Sequence, residues 1–249
     1  MNNLIAAASP RQLARTAGAL SLVNILIGFF ALGYVPSVIV VTANAAATVH
    51  NIQAHEMLYR FGVAGHVVVT VTNVGLAVVF YELFKVVNRR LAMLEVFFIL
   101  VATAVEAAAT IGDFVPLVLL DGARGGVTAD LLQTLGYIPI NLSAYSYAVY
   151  TVFFGFDYLI PAAILAYNAT FIPRLFGPLF AIDGLGYLTN GFATMISPGF
   201  AARLVPYILL PILIAEGSLT VWFLIVGVDE RRWAEMAARR ADFRWHAPA

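Results

Sequence analysis

The chain has 249 residues, 61% hydrophobic and 11% charged, with a mean hydropathy of +0.88. Soluble domains carry about 25% charged residues, so this chain lacks the polar surface of a water-facing globule and reads as an integral membrane protein in a lipid bilayer. Fourteen basic and fourteen acidic residues cancel, which gives no bulk attraction to nucleic acid, and the absence of Cys excludes disulfides, thiolate metal sites and thiol nucleophiles.

Taken in chain order, six segments approach the roughly 20 apolar residues that span a bilayer: 17–41, 61–84, 91–112, 144–167, 172–196 and 205–227. The first follows Arg11 and Arg15 and is longer than the apolar core of a signal peptide, so an uncleaved first helix is expected. The loop 42–60 has helical spacing. FKVVNRRL (84–91) makes a tight connection. The next one, 113–143, holds the turn DGARGG (121–126) and a short surface helix over 130–138. Within it, Phe114–Leu120 is too short to span and extends the third helix or lies at the surface. NATFIPRLF (168–176) is again tight. The tail DERRWAEMAARRADFRW (229–245) predicts an amphipathic, solvated juxtamembrane helix with Trp233 and Trp245 at the interface. Pro36, Pro161, Pro178 and Pro211 mark candidate kinks.

With the N-terminus inside, 11 of the 14 basic residues face the cytoplasm, and Arg60, Arg124 and Arg203 face out. That bias predicts both termini cytoplasmic. The expected architecture is all-α, a polytopic transmembrane helix bundle of six spanning helices over residues 1–228, followed by a cytoplasmic amphipathic tail, 229–249.

The polar residues at membrane depth carry the functional reading. Asp157, Asp183 and Glu216 sit near the middle of three different segments, and no Lys or Arg lies at that depth. Ionised and unpaired they would repel one another, so they must be protonated, hydrated or bound to a cation; the expectation is a shared, partly wet interior site. Helical spacing lays His66, Thr70 and Asn73 on one face, and Asp183, Tyr187, Asn190 and Thr194 on another. Glu95 and Glu106, eleven residues apart, share a face with Ala102 and Asp113. Tyr147, Tyr150, Phe154 and Asp157 form a fourth stripe, and Asn24 and Thr220 add polar groups. The bland alternative for the asparagines and threonines is interhelical hydrogen bonding, worth about 0.6–2 kcal/mol each. Glu82 and Glu95 read as interfacial ion pairs beside Lys85, Arg89 and Arg90, and His66 alone reads as a helix contact. The candidate ligand or proton site is Asp157, Asp183, Glu216, Tyr187, Asn190, His66 and Glu106. His50 and His55 miss metal-pair spacing, no HExxH, P-loop or GxSxG motif occurs, and no metal or cofactor is expected.

FIPRLFG (171–177), GLGYL (184–188) and AEGSLTVWFLIVGV (215–228), with RFGVAGHVV (60–68) and YELFKVVNRRLAML (81–94), resemble a bacterial six-helix membrane family catalogued only as a domain of unknown function. The likeness covers about residues 11–228. It implies the fold and location in a bacterial cytoplasmic membrane, and no activity. Three functions stay open: binding or transport of a small molecule, proton or cation; an intramembrane enzyme on an isoprenoid or lipid, with Tyr150 or Tyr187 orienting the substrate; and an assembly subunit of a membrane complex.

Overall fold

The computed structural model describes residues 8–123, 129–167 and 170–245. They are helical, with no strand among them. Helix α1 spans Pro10–Ile39. Ser9 and Gln12 form a capping box at its start, with Pro10 in the first turn. Residues Phe29–Tyr34 take a π-helical turn just before Pro36. A proline has no N–H and crowds the carbonyl four residues back, here Leu32, and the wider turn accommodates it. Then follow α2 (Ala45–Ala54), α3 (Glu56–Phe84), α4 (Arg89–Gly112), α5 (Val115–Ala123), α6 (Ala129–Tyr167), α7 (Phe176–Ile196), α8 (Pro198–Ile225) and α9 (Glu230–Trp245).

Five helical stretches are long and apolar enough to cross a membrane: Pro10–Ile39, Glu56–Phe84, Arg89–Asp121, Leu135–Ala166 and Tyr207–Ile225. The segment expected at 172–196 forms α7, whose 21 residues reach about 31 Å at 1.5 Å per residue. Asp183, Asn190 and several glycines dilute its apolar content, and it is not among the five. Residues 130–138 are not a separate surface helix. They form the first turns of α6, a continuous helix of 39 residues that runs through Pro139 and Pro161. Part of the expected DGARGG turn, 124–126, lies outside the described residues, as do 168 and 169 in the second tight connection.

The long helices α1, α3, α4, α6, α7 and α8 contact one another in that order, and α8 returns to α1, so they close a ring. Exposed valines on α3 (Val67, Val71, Val74 and Val78) and Met93, Phe97 and Leu100 on α4 form outward apolar stripes suited to lipid. At the end of the ring that carries the termini, a core of Ala17, Leu83, Phe84, Phe171, Leu165 and Phe223 is packed solid. Helix α9 lies across this end. The Trp233 indole donates to the Leu83 carbonyl at 3.1 Å, Arg240 donates to the Lys85 carbonyl, and Arg232 donates to the Thr170 carbonyl at 3.1 Å. The tail expected as an amphipathic juxtamembrane helix is a helix that touches the bundle through these bonds and keeps an exposed face; the Trp245 side chain lies outside the described residues.

Helices α6 and α7 approach backbone to backbone. A Cβ built on Gly184 would lie 2.6 Å from the Gly155 carbonyl oxygen, and one on Gly191 would lie 2.8 Å from the Ala148 carbonyl oxygen. Glycine is required at both places because any side chain would force the helices apart. Gly184→Ala is expected to lower stability by about 1–3 kcal/mol through overpacking. Gly199→Ala, which meets nothing within 4 Å, is expected to be neutral or stabilising. Thermal unfolding in detergent checks the contrast.

Candidate functional site

Inside the ring is a cavity of about 430 Å³ with walls from α1, α3, α4, α6, α7 and α8. Four carboxylates line it: Glu95 and Glu106 from α4, Asp157 from α6 and Glu216 from α8. No Lys or Arg lines it among the described residues. Tyr147, Tyr150, Phe154, Tyr158 and Tyr187 supply an aromatic wall, with Phe154 5.2 Å from Tyr158 and 5.2 Å from Tyr187, centroid to centroid. Phe80, Phe84 and Phe180 close the end nearest the termini.

Glu216 is the best-furnished of the four acids. Its Oε1 accepts the Tyr158 hydroxyl at 2.7 Å and the Tyr187 hydroxyl at 2.8 Å, so one carboxylate oxygen joins α6, α7 and α8. Glu95 and Asp157 contrast with it. Each is buried, and Glu95 Oε2 and Asp157 Oδ1 have no hydrogen-bond partner. Pro161, also in the wall, offers no N–H to the carbonyl of Asp157 four residues earlier, which leaves a further acceptor beside that acid. Unpartnered buried acceptors are costly unless something supplies hydrogen bonds or positive charge.

A second polar cluster adjoins the first through Glu106. His66 Nε2 lies 3.4 Å from Glu106 Oε1, and His66 Nδ1 lies 3.3 Å from Asp113 Oδ2. The Ser143 hydroxyl donates to Asp113 Oδ1 at 2.8 Å. On the other side, Asn73 Nδ2 donates to Glu106 Oε2 at 3.2 Å, and Asn24 Nδ2 donates to Asn73 Oδ1 at 2.7 Å and to Thr72 Oγ1 at 2.9 Å. The imidazole thus bridges two carboxylates in a chain of contacts that runs across α6, α4, α3 and α1. Either ring nitrogen can carry the proton, since the tautomer decides which one donates.

The structure therefore divides the seven expected residues. Asp157, Glu216, Tyr187 and Glu106 line one cavity, and His66 touches it through Glu106. Asp183 is fully buried with both carboxyl oxygens unpartnered, but it does not line the cavity; it sits beside the tight Gly184 contact between α6 and α7. Asn190 Oδ1 is buried without a partner and also lies off the cavity wall. Glu95 was expected as an interfacial ion pair and is instead 1% exposed and in the cavity wall. Thr72, not Thr70, joins the asparagine cluster; the Thr70 hydroxyl returns to its own helix at the His66 carbonyl. Tyr158 was missed, though it stands beside Asp157, and Asp113, placed on the face of Glu95 and Glu106 by its spacing, was not carried into the candidate set. Among the described residues no three His, Asp or Glu side chains are grouped as metal ligands.

A family model described as "Domain of unknown function (DUF4386)" matches residues 16–227. The chain belongs to this family. Its match begins in the second turn of α1 and ends just past α8, so the DUF4386 segment contains the ring apart from residues 10–15, and every cavity residue. No curated protein and no solved structure matches the chain.

The His66 bridge gives a direct energetic test. Removing either partner leaves a buried polar group unmatched, at a cost of about 1–3 kcal/mol. A double-mutant cycle of His66→Ala and Glu106→Ala, followed by denaturation in micelles, is expected to give a coupling energy within about 0.5–3 kcal/mol. Additive losses would show that the two side chains act independently.

Proposed function

We propose that this protein binds, and carries across a bacterial cytoplasmic membrane, a proton or a small positively charged molecule held in the cavity. The observation that carries the reading is that Glu95, Glu106, Asp157 and Glu216 converge on one space to which no Lys or Arg contributes among the described residues. Fixed acids of one sign in a low-dielectric setting attract cations and reject anions. In this reading Asp157 and Glu216 hold the cargo directly. Glu95 adds charge behind Asp157. Tyr158 and Tyr187 fix the Glu216 carboxylate in one rotamer. Glu106 links the cavity to His66 and Asp113, a route along which a proton can pass by successive transfer between carboxyl and imidazole. Asp183 and Asn190 support the α7 interface from outside the wall.

We further propose that α7 is the sixth spanning helix. It is held on either side by α6 and α8, and its Asp183 carboxyl and Asn190 Oδ1 are buried in protein, which is the setting in which such groups are tolerated. The end bearing α9 and most of the basic residues then faces the cytoplasm, as the Lys and Arg bias requires.

Proteoliposomes containing the protein are expected to collapse an imposed pH gradient, or to accumulate methylammonium, faster than empty vesicles. Asp157→Asn with Glu216→Gln is expected to reduce that rate at least 10-fold while the helical circular dichroism is retained. A rate unchanged in the double variant removes the proposal.

A further inference from the structure

Among the described residues, the exposed part of the cavity wall is apolar. Among its large apolar wall residues, the most exposed are Phe29 at 76%, Leu213 at 59% and Leu209 at 55%. Phe29 lies on α1, and Leu209 and Leu213 lie on α8. These two helices meet tightly nearer the termini, where a Cβ on Gly18 would sit 3.0 Å from Leu224. Phe29 falls well inside Pro10–Ile39 and Leu213 well inside Tyr207–Ile225, both apolar enough to span. The mouth is therefore a gap between α1 and α8 at the depth of the hydrocarbon, and the surface around it is apolar: Leu26, Leu210 and Ile214 flank it, all exposed. The π-helical turn at Phe29–Tyr34 lies on this rim.

The same wall that holds apolar Ile25, Leu32 and Ile212 also holds the tyrosines and Glu216, Asp157 and Glu95. Tyr150, Phe154, Tyr158 and Tyr187 present ring faces and edges in contact with one another. Aromatic faces and unpartnered carboxylates both select positive charge, and the faces favour an organic cation over a hydrated metal ion. The volume, about 430 Å³, lies within the roughly 300–1,000 Å³ range of small-molecule sites.

We infer that the molecule this cavity receives is a lipophilic amine, which enters from the bilayer between α1 and α8 with its nitrogen toward Asp157 and Glu216 and its apolar tail in the mouth. This rests on the cation reading above and adds the class of cargo and its route. An amine travels through lipid as its neutral free base. On arrival the nitrogen lone pair takes a proton from a cavity carboxyl, which leaves an ammonium beside a carboxylate, with no other bond made or broken.

The test is equilibrium and kinetic binding of radiolabelled decylamine to the protein in phosphatidylcholine nanodiscs, with decanol and methylamine as competitors. Saturable binding is expected that decanol does not displace, that Glu216→Gln weakens at least 10-fold, and whose association Leu213→Trp slows about 10-fold by narrowing the mouth. If methylamine binds as tightly as decylamine and Leu213→Trp leaves the association rate unchanged, the lipophilic cargo and lateral route are wrong while the cation site stands. If decanol competes as well as decylamine, the cavity reads only the tail, and both the inference and the cation reading fall. The comparison of the three probes on the unaltered protein remains decisive should either variant fail to fold.

Discussion

The contact on which the site depends is apolar and nearly featureless: Gly155 of α6 against Gly184 of α7. With no side chain between them, the two backbones come close enough that a Cβ on either glycine would overlap the other's carbonyl oxygen. In lipid there is no hydrophobic drive to bring helices together, and close packing of small residues supplies the association instead. The consequence appears one turn away. Tyr158 follows Gly155 by three residues, and Tyr187 follows Gly184 by three. The close approach sets their rings 5.6 Å apart and aims both hydroxyls at a single oxygen of Glu216. Widening the α6–α7 gap by one methyl group would carry one phenol away from that oxygen. A packing constraint thus fixes the electrostatics of the cavity.

The acids fall into two kinds. Glu216 accepts from two tyrosines and Asp113 meets Ser143 and His66, contacts that offset the cost of desolvating a carboxyl, while Glu106 accepts from Asn73 at Oε2 and keeps Oε1 without a hydrogen bond. Glu95 and Asp157 keep buried oxygens with no donor in reach. Had the sole role of these residues been to join helices, donors would be expected at all of them, because a half-satisfied buried network is less stable than an apolar one. Glu95, Asp157 and Glu106 each turn an oxygen without a donor into the cavity wall, whereas the donor-less oxygens of Asp183 and Asn190 lie off it on α7. Three such oxygens around one space fit a bound species there, and Asp183 has no such explanation.

The sequence disclosed the helices and the family but only part of the site. Length and hydropathy located the apolar segments, because the backbone in lipid must satisfy its hydrogen bonds internally and leaves few choices, but α6 begins fifteen residues before the expected 144. The eleven-residue interval from Glu95 to Glu106 correctly placed both on one face of α4. Yet Glu95 was assigned to the interface because it lies within one to two turns of Arg89 and Arg90. Charge proximity along the chain misled where the face of the helix decided: position 95 looks into the bundle with Ala102 and Glu106, while Arg89 and Arg90 stay exposed. Asp183 shows the converse error. Its depth matched that of Asp157 and Glu216, but depth is one coordinate and rotation about the helix axis is another. Rotation depends on which face of α7 meets α6, and that is set by Gly184 and Gly191, whose role as a contact surface has no readable partner in the sequence until the helices are docked.

The two ends of the ring are built differently, and the difference bears on direction. Toward the termini, Phe223, Phe80, Phe84 and Phe171 meet in succession as tilted pairs with centroids 6.0–6.3 Å apart, and the Trp233 indole of α9 donates to the Leu83 carbonyl beside them. Aromatic packing of this kind leaves no polar path. Away from the termini, the Asp113–His66–Glu106 chain runs through side chains that exchange protons, and His66 and Asp113 retain partial exposure. The cavity thus has the phenylalanine cluster at one end and the Glu106–His66–Asp113 contacts at the other. On the carrier reading proposed above, movement toward the terminus-bearing end requires the phenylalanine cluster to part, and α9 is held across that cluster by three hydrogen bonds to loop and helix-end carbonyls.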